Sequence, residues 1–268
     1  VEHEKLTKLR RVINKLESAV VAFSGGVDSA LLARLAFEEL SARALAVTVV
    51  SPSMSVSERQ TAIRLAEEIG IAHRLIAGQE FSDPHYIQNT PMRCYWCKRS
   101  ICGVLVAYAK EHGYAWVIDG NNVDDLQDTR PGRQAASEFG VRSPFIEAGV
   151  TKADIRDISR HLGLSNWNKP ALACLSTRIP YGISIDVKTL ETIEKGEECL
   201  NRLGLHQLRL RHHGDIARIE VNPQDFSIII QNREAIIAGL SELGYRFITL
   251  DLAGYQMGSF NKKVDNGK

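Results

Sequence analysis

Apolar positions open the chain at helical spacing. Leu6, Leu9, Ile13 and Leu16 predict an amphipathic helix over roughly the first 20 residues. The pattern then changes in kind. Residues 19–23 form a short unbroken apolar run, followed by Ser24-Gly25-Gly26 and a helical stretch through Leu31, Leu32, Leu35 and Phe37. Residues 44–50 are a second apolar run, 57–69 read as a helix and 72–76 as a third strand. A helix over 100–111 leads to a fourth strand over 115–118. Apolar strands alternating with amphipathic helices predict an α/β fold, a parallel sheet with helices on both faces. A later helix over 152–162 opens at Thr151, with Asp154 where a capping box carries Glu, and stops at Gly163.

The texture changes after Pro180-Tyr181-Gly182. Short strands are expected over 206–210 and 216–221, around a turn at 212–215. A helix-like stretch over 225–239 and a last strand over 245–250 complete a smaller α+β unit. The expected division is therefore 1–180 and 181–268, with the second domain contributing to substrate binding. The polar end at 261–268 reads as frayed.

Composition narrows the field. With 24% charged and 44% hydrophobic residues the chain is ordinary globular material. Its 33 basic and 32 acidic residues leave a net charge of +1, so no overall field draws it to nucleic acid or an anionic membrane. No apolar run approaches the ~18 residues of a membrane span. The N-terminal stretch is charged and lacks the apolar segment of a signal peptide. The expectation is a cytoplasmic protein whose five cysteines stay out of structural disulfides. Their positions then call for another explanation.

Between the first strand and its helix lies Ser24-Gly25-Gly26-Val27-Asp28-Ser29. Two glycines let backbone N–H groups turn inward, and the helix N-terminus behind them favours a phosphate. Ser24 and Ser29 offer hydroxyl donors, and Asp28 suits a loop brace or a magnesium ligand. No lysine follows, so this is not a Walker loop. The hexapeptide resembles the signature of the N-type ATP pyrophosphatases, which bind the pyrophosphate of ATP and release it on adenylating a substrate. After the fourth strand, Asp119-Gly120-Asn121-Asn122-Val123-Asp124-Asp125 falls where such sheets hold ligands. Asp124 and Asp125 are magnesium candidates there.

Cys94-Tyr95-Trp96-Cys97 precedes a helix, and Cys174 follows 77 residues after Cys97. A C-x-x-C in such a chain fits a redox pair, half a zinc site with His85 as a further ligand, or part of an iron–sulfur site. Three thiolates from Cys94, Cys97 and Cys174 suit a 4Fe–4S cluster whose fourth iron has no protein ligand. The alternative is that Cys174 acts alone as a nucleophile. Around it, residues 167–182 place two hydroxyls and Arg178 beside the thiol. An arginine there lowers a thiolate's pKa or clamps a phosphate. Cys102 and Cys199, in helical stretches, read as small buried hydrophobes.

Nearly the whole chain resembles the LarE family, ATP-dependent sulfur transferases that help build the nickel-pincer nucleotide cofactor of lactate racemase. SGGVDSA, the stretch from DGNNVDD to STRIPYG, and RLRHHGDIARIEV carry the resemblance. It implies an N-terminal ATP pyrophosphatase domain, a smaller C-terminal domain and a homohexamer. It further implies a small-molecule nucleotide substrate, pyridinium-3,5-biscarboxylic acid mononucleotide, whose carboxylate is adenylated with ATP and Mg2+ and then made a thiocarboxylate. Some members give up the sulfur of one cysteine, which aligns with Cys174. Cys94 and Cys97 depart from that pattern and match the three-cysteine variant, which resembles a holder of a 4Fe–4S cluster carrying sulfide from an external donor.

Carried over by position, Ser24, Gly25, Gly26, Asp28 and Ser29 match the pyrophosphate loop. Arg178 resembles a substrate-phosphate or ATP contact. Arg209 and Arg211 resemble phosphate-binding arginines, and their alternation puts both on one strand face. Glu197, Glu220 and Asp225 are candidates either for a divalent metal or for Lys and Arg partners. Trp96 is expected beside the cluster, and His212 and His213 in a polar turn. The main rival is a tRNA thiolase of the same type. It calls for a basic groove or RNA-binding arm, which the charge balance does not supply. A non-catalytic metal-binding module has no use for the phosphate loop.

Overall fold

The computed structural model describes residues 2–126, 131–170, 173–205 and 207–256. The first half runs α1 (Glu2–Asn14), β1 (Ala19–Ala22), α2 (Val27–Leu40), β2 (Ala44–Val50), α3 (Val56–Ile69), β3 (His73–Ala77), α4 (Pro84–Ile87), α5 (Arg93–Glu111) and β4 (Trp116–Ile118). There follow α6 (Pro131–Glu138), α7 (Pro144–Ala148), α8 (Lys152–His161) and a 3-10 turn at Leu175–Arg178. The rest is α9 (Val187–Asn201), β5 (Leu208–His213), β6 (Ile216–Val221), α10 (Phe226–Gln231), α11 (Arg233–Glu242) and β7 (Phe247–Leu250).

Two compact units emerge: Val1–Tyr86 with Met92–Leu172, and Ile87–Pro91 with Ala173–Lys268. In the first, period-two alternation sends Ala19 and Val21 into one apolar cluster and Val20 into another. The strand is covered on both faces, which is why the sequence reads as an unbroken apolar run. Four parallel strands take the order β3-β2-β1-β4. One face packs against α1, α2, α3, α7 and α8, the other against α5. Strand order reverses between β1 and β4, so the loops leaving their carboxyl ends form the crevice where such sheets take ligands. The expected parallel α/β sheet is the observed one.

The second unit holds the sheet β5-β6-β7, antiparallel then parallel, with Leu208, Leu210, Ala217, Ile219 and Val221 facing an apolar cluster. It also captures residues 87–91. The fully buried Asn89 amide donates to the carbonyls of Pro180 and Ile183, both at 2.8 Å, and Ile185 N–H donates to Ile87 O.

Several local expectations are corrected. Helix α5 begins at Arg93, seven residues before the first one expected, because Arg-Cys-Tyr-Trp-Cys-Lys-Arg carries no apolar period. Helix α9 extends the helical stretch expected around Cys199 back to Val187, with Leu190, Ile193 and Leu200 on its buried side. His212 and His213 are strand residues, and the turn is Gly214-Asp215, with Gly214 at φ +67°. The stretch over 225–239 breaks at Asn232, whose side chain donates back to Ile228 O at 2.8 Å. His206, residues 127–130 and 171–172, and the expected frayed end at 261–268 lie outside the described residues. Among the described residues no helix is long and apolar enough to cross a membrane.

Thr151 and Asp154 form the expected reciprocal cap on α8, and Asp154 also takes Lys5 of α1 at 2.6 Å. Thr151→Ala is expected to destabilise the chain by about 1 kcal/mol, read as a lower urea midpoint with unchanged m-value.

Candidate active site

The loop after β1 is held from within. Ser29 Oγ donates to Gly26 O and accepts from Ser24 N–H, both at 3.2 Å. With its one proton committed, Ser29 accepts from Ser24 Oγ at 3.2 Å. Gly25 sits at φ +70°, and a Cβ there would lie 2.9 Å from the Ala62 Cα of α3. Both the left-handed backbone and the close approach require glycine. Gly26 caps α2 without any side-chain hydrogen bond, so the first-turn N–H groups stay available to an anion. Asn166 Nδ2 donates to Gly25 O at 3.3 Å and pins the loop from behind.

Acids and lysines surround this loop in the first unit. Asp28 accepts Lys152 Nζ at 2.5 Å, and Lys152 N–H donates to Asp124 Oδ2 at 2.7 Å. The structure thus links Asp28 with Asp124 through one lysine. Asp125 accepts from Asn122 N–H and adds a repelling charge toward Asp28. Burial, helped by Asp125, holds the Asp28 carboxyl above its ordinary range despite Lys152. At the end of β4, Gly120 passes so close that a Cβ would lie 3.0 Å from Asp28 Cβ. The adjacent buried Asp119 takes Lys98 Nζ at 3.0 Å and Ser143 Oγ at 2.7 Å. Burial opposes the charge on Lys98, but Asp119 outweighs it and raises the Lys98 pKa. Lys98, Lys152 and Asn166 were missed at sequence level. Lys152 opens α8, Asn166 lies in the stretch after it and Lys98 sits inside α5, and no spacing in the chain brings them to the phosphate loop.

Cys94 and Cys97 lie three apart on α5, hence on one helical face, the first exposed and the second half-buried. His85 stacks on Trp96 with ring centroids 4.4 Å apart and bonds Asp83 through Nδ1. Cys102 is buried, and burial pushes its thiol up to about 11. Among the described residues, no three His, Cys, Asp or Glu side chains form a group able to hold a metal ion.

In the second unit the half-buried Cys174 begins a turn braced by two arginines. Arg178 bonds the carbonyls of Ala173 and Cys174, and its other nitrogens meet both oxygens of Glu197 at 2.8 and 3.0 Å. Glu197 also accepts Leu210 N–H at 2.9 Å. Arg211 donates to Thr177 O at 2.6 Å and to Glu220 at 2.9 Å, and Glu220 takes Arg218 on its second oxygen at 3.1 Å. Burial pulls the Arg211 pKa below its ordinary value. Glu197 and Glu220 are arginine partners, the second of the two roles expected for them. Arg209, on the same face, lies over the Tyr255 ring at 4.7 Å. Asp225, just before α10, stands outside this network. His212 Nδ1 meets Tyr245 OH at 3.1 Å, and burial lowers its pKa.

Fold and loop together define a PP-loop enzyme. A family model described as NAD synthase matches residues 3–83, which carry the loop. An uncharacterized protein of Synechocystis sp. is 43% identical over 96% of this chain and 97% of its own. The pyridinium-3,5-bisthiocarboxylic acid mononucleotide synthase of Lactiplantibacillus plantarum is 35% identical over 96% of this chain and 94% of its own. The tRNA-specific 2-thiouridylase MnmA of Heliobacterium modesticaldum is more distant, 28% identical over 58% of this chain and 50% of its own. The chain belongs to the LarE family of adenylating, ATP-dependent sulfur transferases.

A carboxyl whose pKa is raised by folding costs stability above that raised value, and the cost disappears below the ordinary carboxylate range. Asp28→Asn is therefore expected to raise the melting temperature at neutral pH. The gain should shrink to nothing as pH falls through the Asp28 titration, checked by melting curves across acid pH. Glu220→Gln leaves two guanidinium groups on a neutral partner, one of them 2% exposed. A loss of roughly 3–5 kcal/mol is expected on chemical denaturation.

Proposed function

We propose that this enzyme adenylates a carboxylate of pyridinium-3,5-biscarboxylic acid mononucleotide and converts it to a thiocarboxylate, a step toward a nickel-pincer nucleotide. The observation that carries this reading is an uncapped phosphate loop in the same chain as a thiol turn braced by Arg178 and Arg211. The 35% identical relative is named for the bisthiocarboxylic product.

ATP lies with its β- and γ-phosphates on the N–H groups behind Gly25 and Gly26, between Ser24 and Ser29. Asp28 would hold Mg2+ in place of Lys152, the phosphates themselves supplying further oxygens, and the ion would neutralise charge on them. A substrate carboxylate oxygen attacks the α-phosphorus, the bond to the bridging oxygen breaks, and pyrophosphate leaves. The acyl-adenylate has a good leaving group where the bare carboxylate had none. A sulfur nucleophile then bonds to the acyl carbon, and AMP departs with the electron pair of the carbon–oxygen bond.

The second domain contributes the substrate phosphate site. Arg209 is the phosphate contact: among the described residues it meets only the Tyr255 ring and, at 3.4 Å, Gln256 O, whereas Arg178 and Arg211 are committed to Glu197, Glu220 and the Cys174 turn. Arg178 becomes a positioning residue for Cys174. A 4Fe–4S cluster on Cys94, Cys97 and Cys174 would supply an iron without a protein ligand, and so a place for hydrosulfide from an external donor. The i, i+3 spacing of Cys94 and Cys97 on α5 suits two thiolates serving one centre. The enzyme works in the cytoplasm as a homohexamer.

Oxygen-free protein is to be assayed for iron, acid-labile sulfide and polypeptide mass after turnover. Pyrophosphate release is followed with the dicarboxylate mononucleotide and with tRNA. Release with the mononucleotide, iron in the protein and an unchanged mass are expected. Alanine at Cys94, Cys97 or Cys174 should abolish sulfur transfer and spare adenylation, read as mononucleotide-dependent pyrophosphate release. Iron-free protein that loses the mass of hydrogen sulfide at Cys174 would replace the cluster by a sacrificial cysteine. Release that needs tRNA would move the enzyme to the thiouridylases.

A further inference from the structure

Beside the phosphate loop, within the first unit, lies an open cavity of about 460 Å³ that none of the roles above uses. Helix α3 supplies Thr61, Arg64, Leu65 and Glu68, and the stretch after α8 supplies Ser165, Asn166, Asn168 and Lys169. Two cations face this space. Among the described residues neither Arg64 nor Lys169 has an ion-pair partner, and Arg64 makes only a long contact with Thr61 Oγ1 at 3.4 Å. The carboxylate of Glu68 is taken by Ser165, through its N–H at 3.1 Å and its hydroxyl at 2.6 Å.

Asn166 adds an independent sign of a ligand. The residue is 8% exposed, its Nδ2 is fixed on Gly25 O, and its Oδ1 is buried with no hydrogen-bond partner. A buried acceptor left bare is costly, so this oxygen calls for a donor. Two cations plus one acceptor match an oxyanion that still carries a proton. Pyrophosphate near neutral pH is such an ion: its charged oxygens suit Arg64 and Lys169, and its P–OH suits Asn166 Oδ1. Burial, together with the like charge of Arg64, holds Lys169 below its ordinary pKa against the pull of Glu58. An anion between the two cations relieves that repulsion.

We propose that this cavity is a second oxyanion subsite, which receives inorganic pyrophosphate as it leaves the phosphate loop. The inference rests on the reading that the loop splits ATP at the α-phosphorus. Its location follows from the chain: Asn166 touches both the Gly25 carbonyl and the cavity, and Thr61 adjoins the Ala62 that Gly25 packs against. Held there, the product is off the loop while the acyl-adenylate awaits sulfur.

Pyrophosphate is titrated calorimetrically into the full chain, alone and after saturation with α,β-methylene ATP. One pyrophosphate site should survive saturation. Arg64→Gln and Lys169→Gln should each weaken it roughly tenfold, the worth of one charge-assisted hydrogen bond. Both variants should bind the ATP analogue as the parent does, which also reports their folding. Complete displacement of pyrophosphate by the analogue overturns the subsite, and so does unchanged affinity in both variants. Absence of mononucleotide-dependent pyrophosphate release from ATP would count against the reaction instead, and the titration reads the cavity without it.

Discussion

Charge removed from water has to be met by charge, and this governs both units. Arg211 is 2% exposed and Glu220 not at all, so neither can be there without the other. Glu220 spends its two oxygens on Arg211 and Arg218, and Glu197 spends its own on Arg178. What remains of Arg178 and Arg211 is aimed at backbone carbonyls from Ala173 to Thr177. The ion pairs thus fix the chain on either side of Cys174, and a thiol in a short irregular segment gains a defined position. In the first unit Lys98 answers Asp119 and Lys152 answers Asp28, which fixes the ends of β4 and α2 that border the phosphate loop.

Close approach does the rest. Gly25 against Ala62 and Gly120 against Asp28 bring backbone to backbone where side chains would hold the elements apart. Apolar burial builds the sheet but carries no preference for an anion. The preference comes from N–H groups left uncapped at Gly26, which the glycines allow a phosphate to reach.

How far the sequence could be read follows from the kind of force involved. The β1–β4 sheet was legible because a strand buried on both faces leaves an unbroken apolar run. The loop was legible because two glycines between strand and helix have few other uses. Helix α5 began earlier than expected because its first turns carry Cys94, Cys97 and Lys98 in place of an apolar period. The roles of Glu197 and Glu220 stayed open because ion pairing depends on partners 19 and 9 residues away that no periodicity selects. Asn166 reaches Gly25 across 141 residues, a relation only the folded chain contains.

The residues from Ile87 to Pro91 carry a consequence for inheritance. They belong to the second unit, yet they are encoded inside the first, and the Asn89 amide satisfies carbonyls at Pro180 and Ile183. A gene fragment starting at Ala173 would leave those carbonyls without their donor. The smaller unit is therefore no transferable cassette: a single recombination crossover cannot graft it onto another nucleotide-binding domain. The two have to be passed on, and diversified, as one piece of coding sequence.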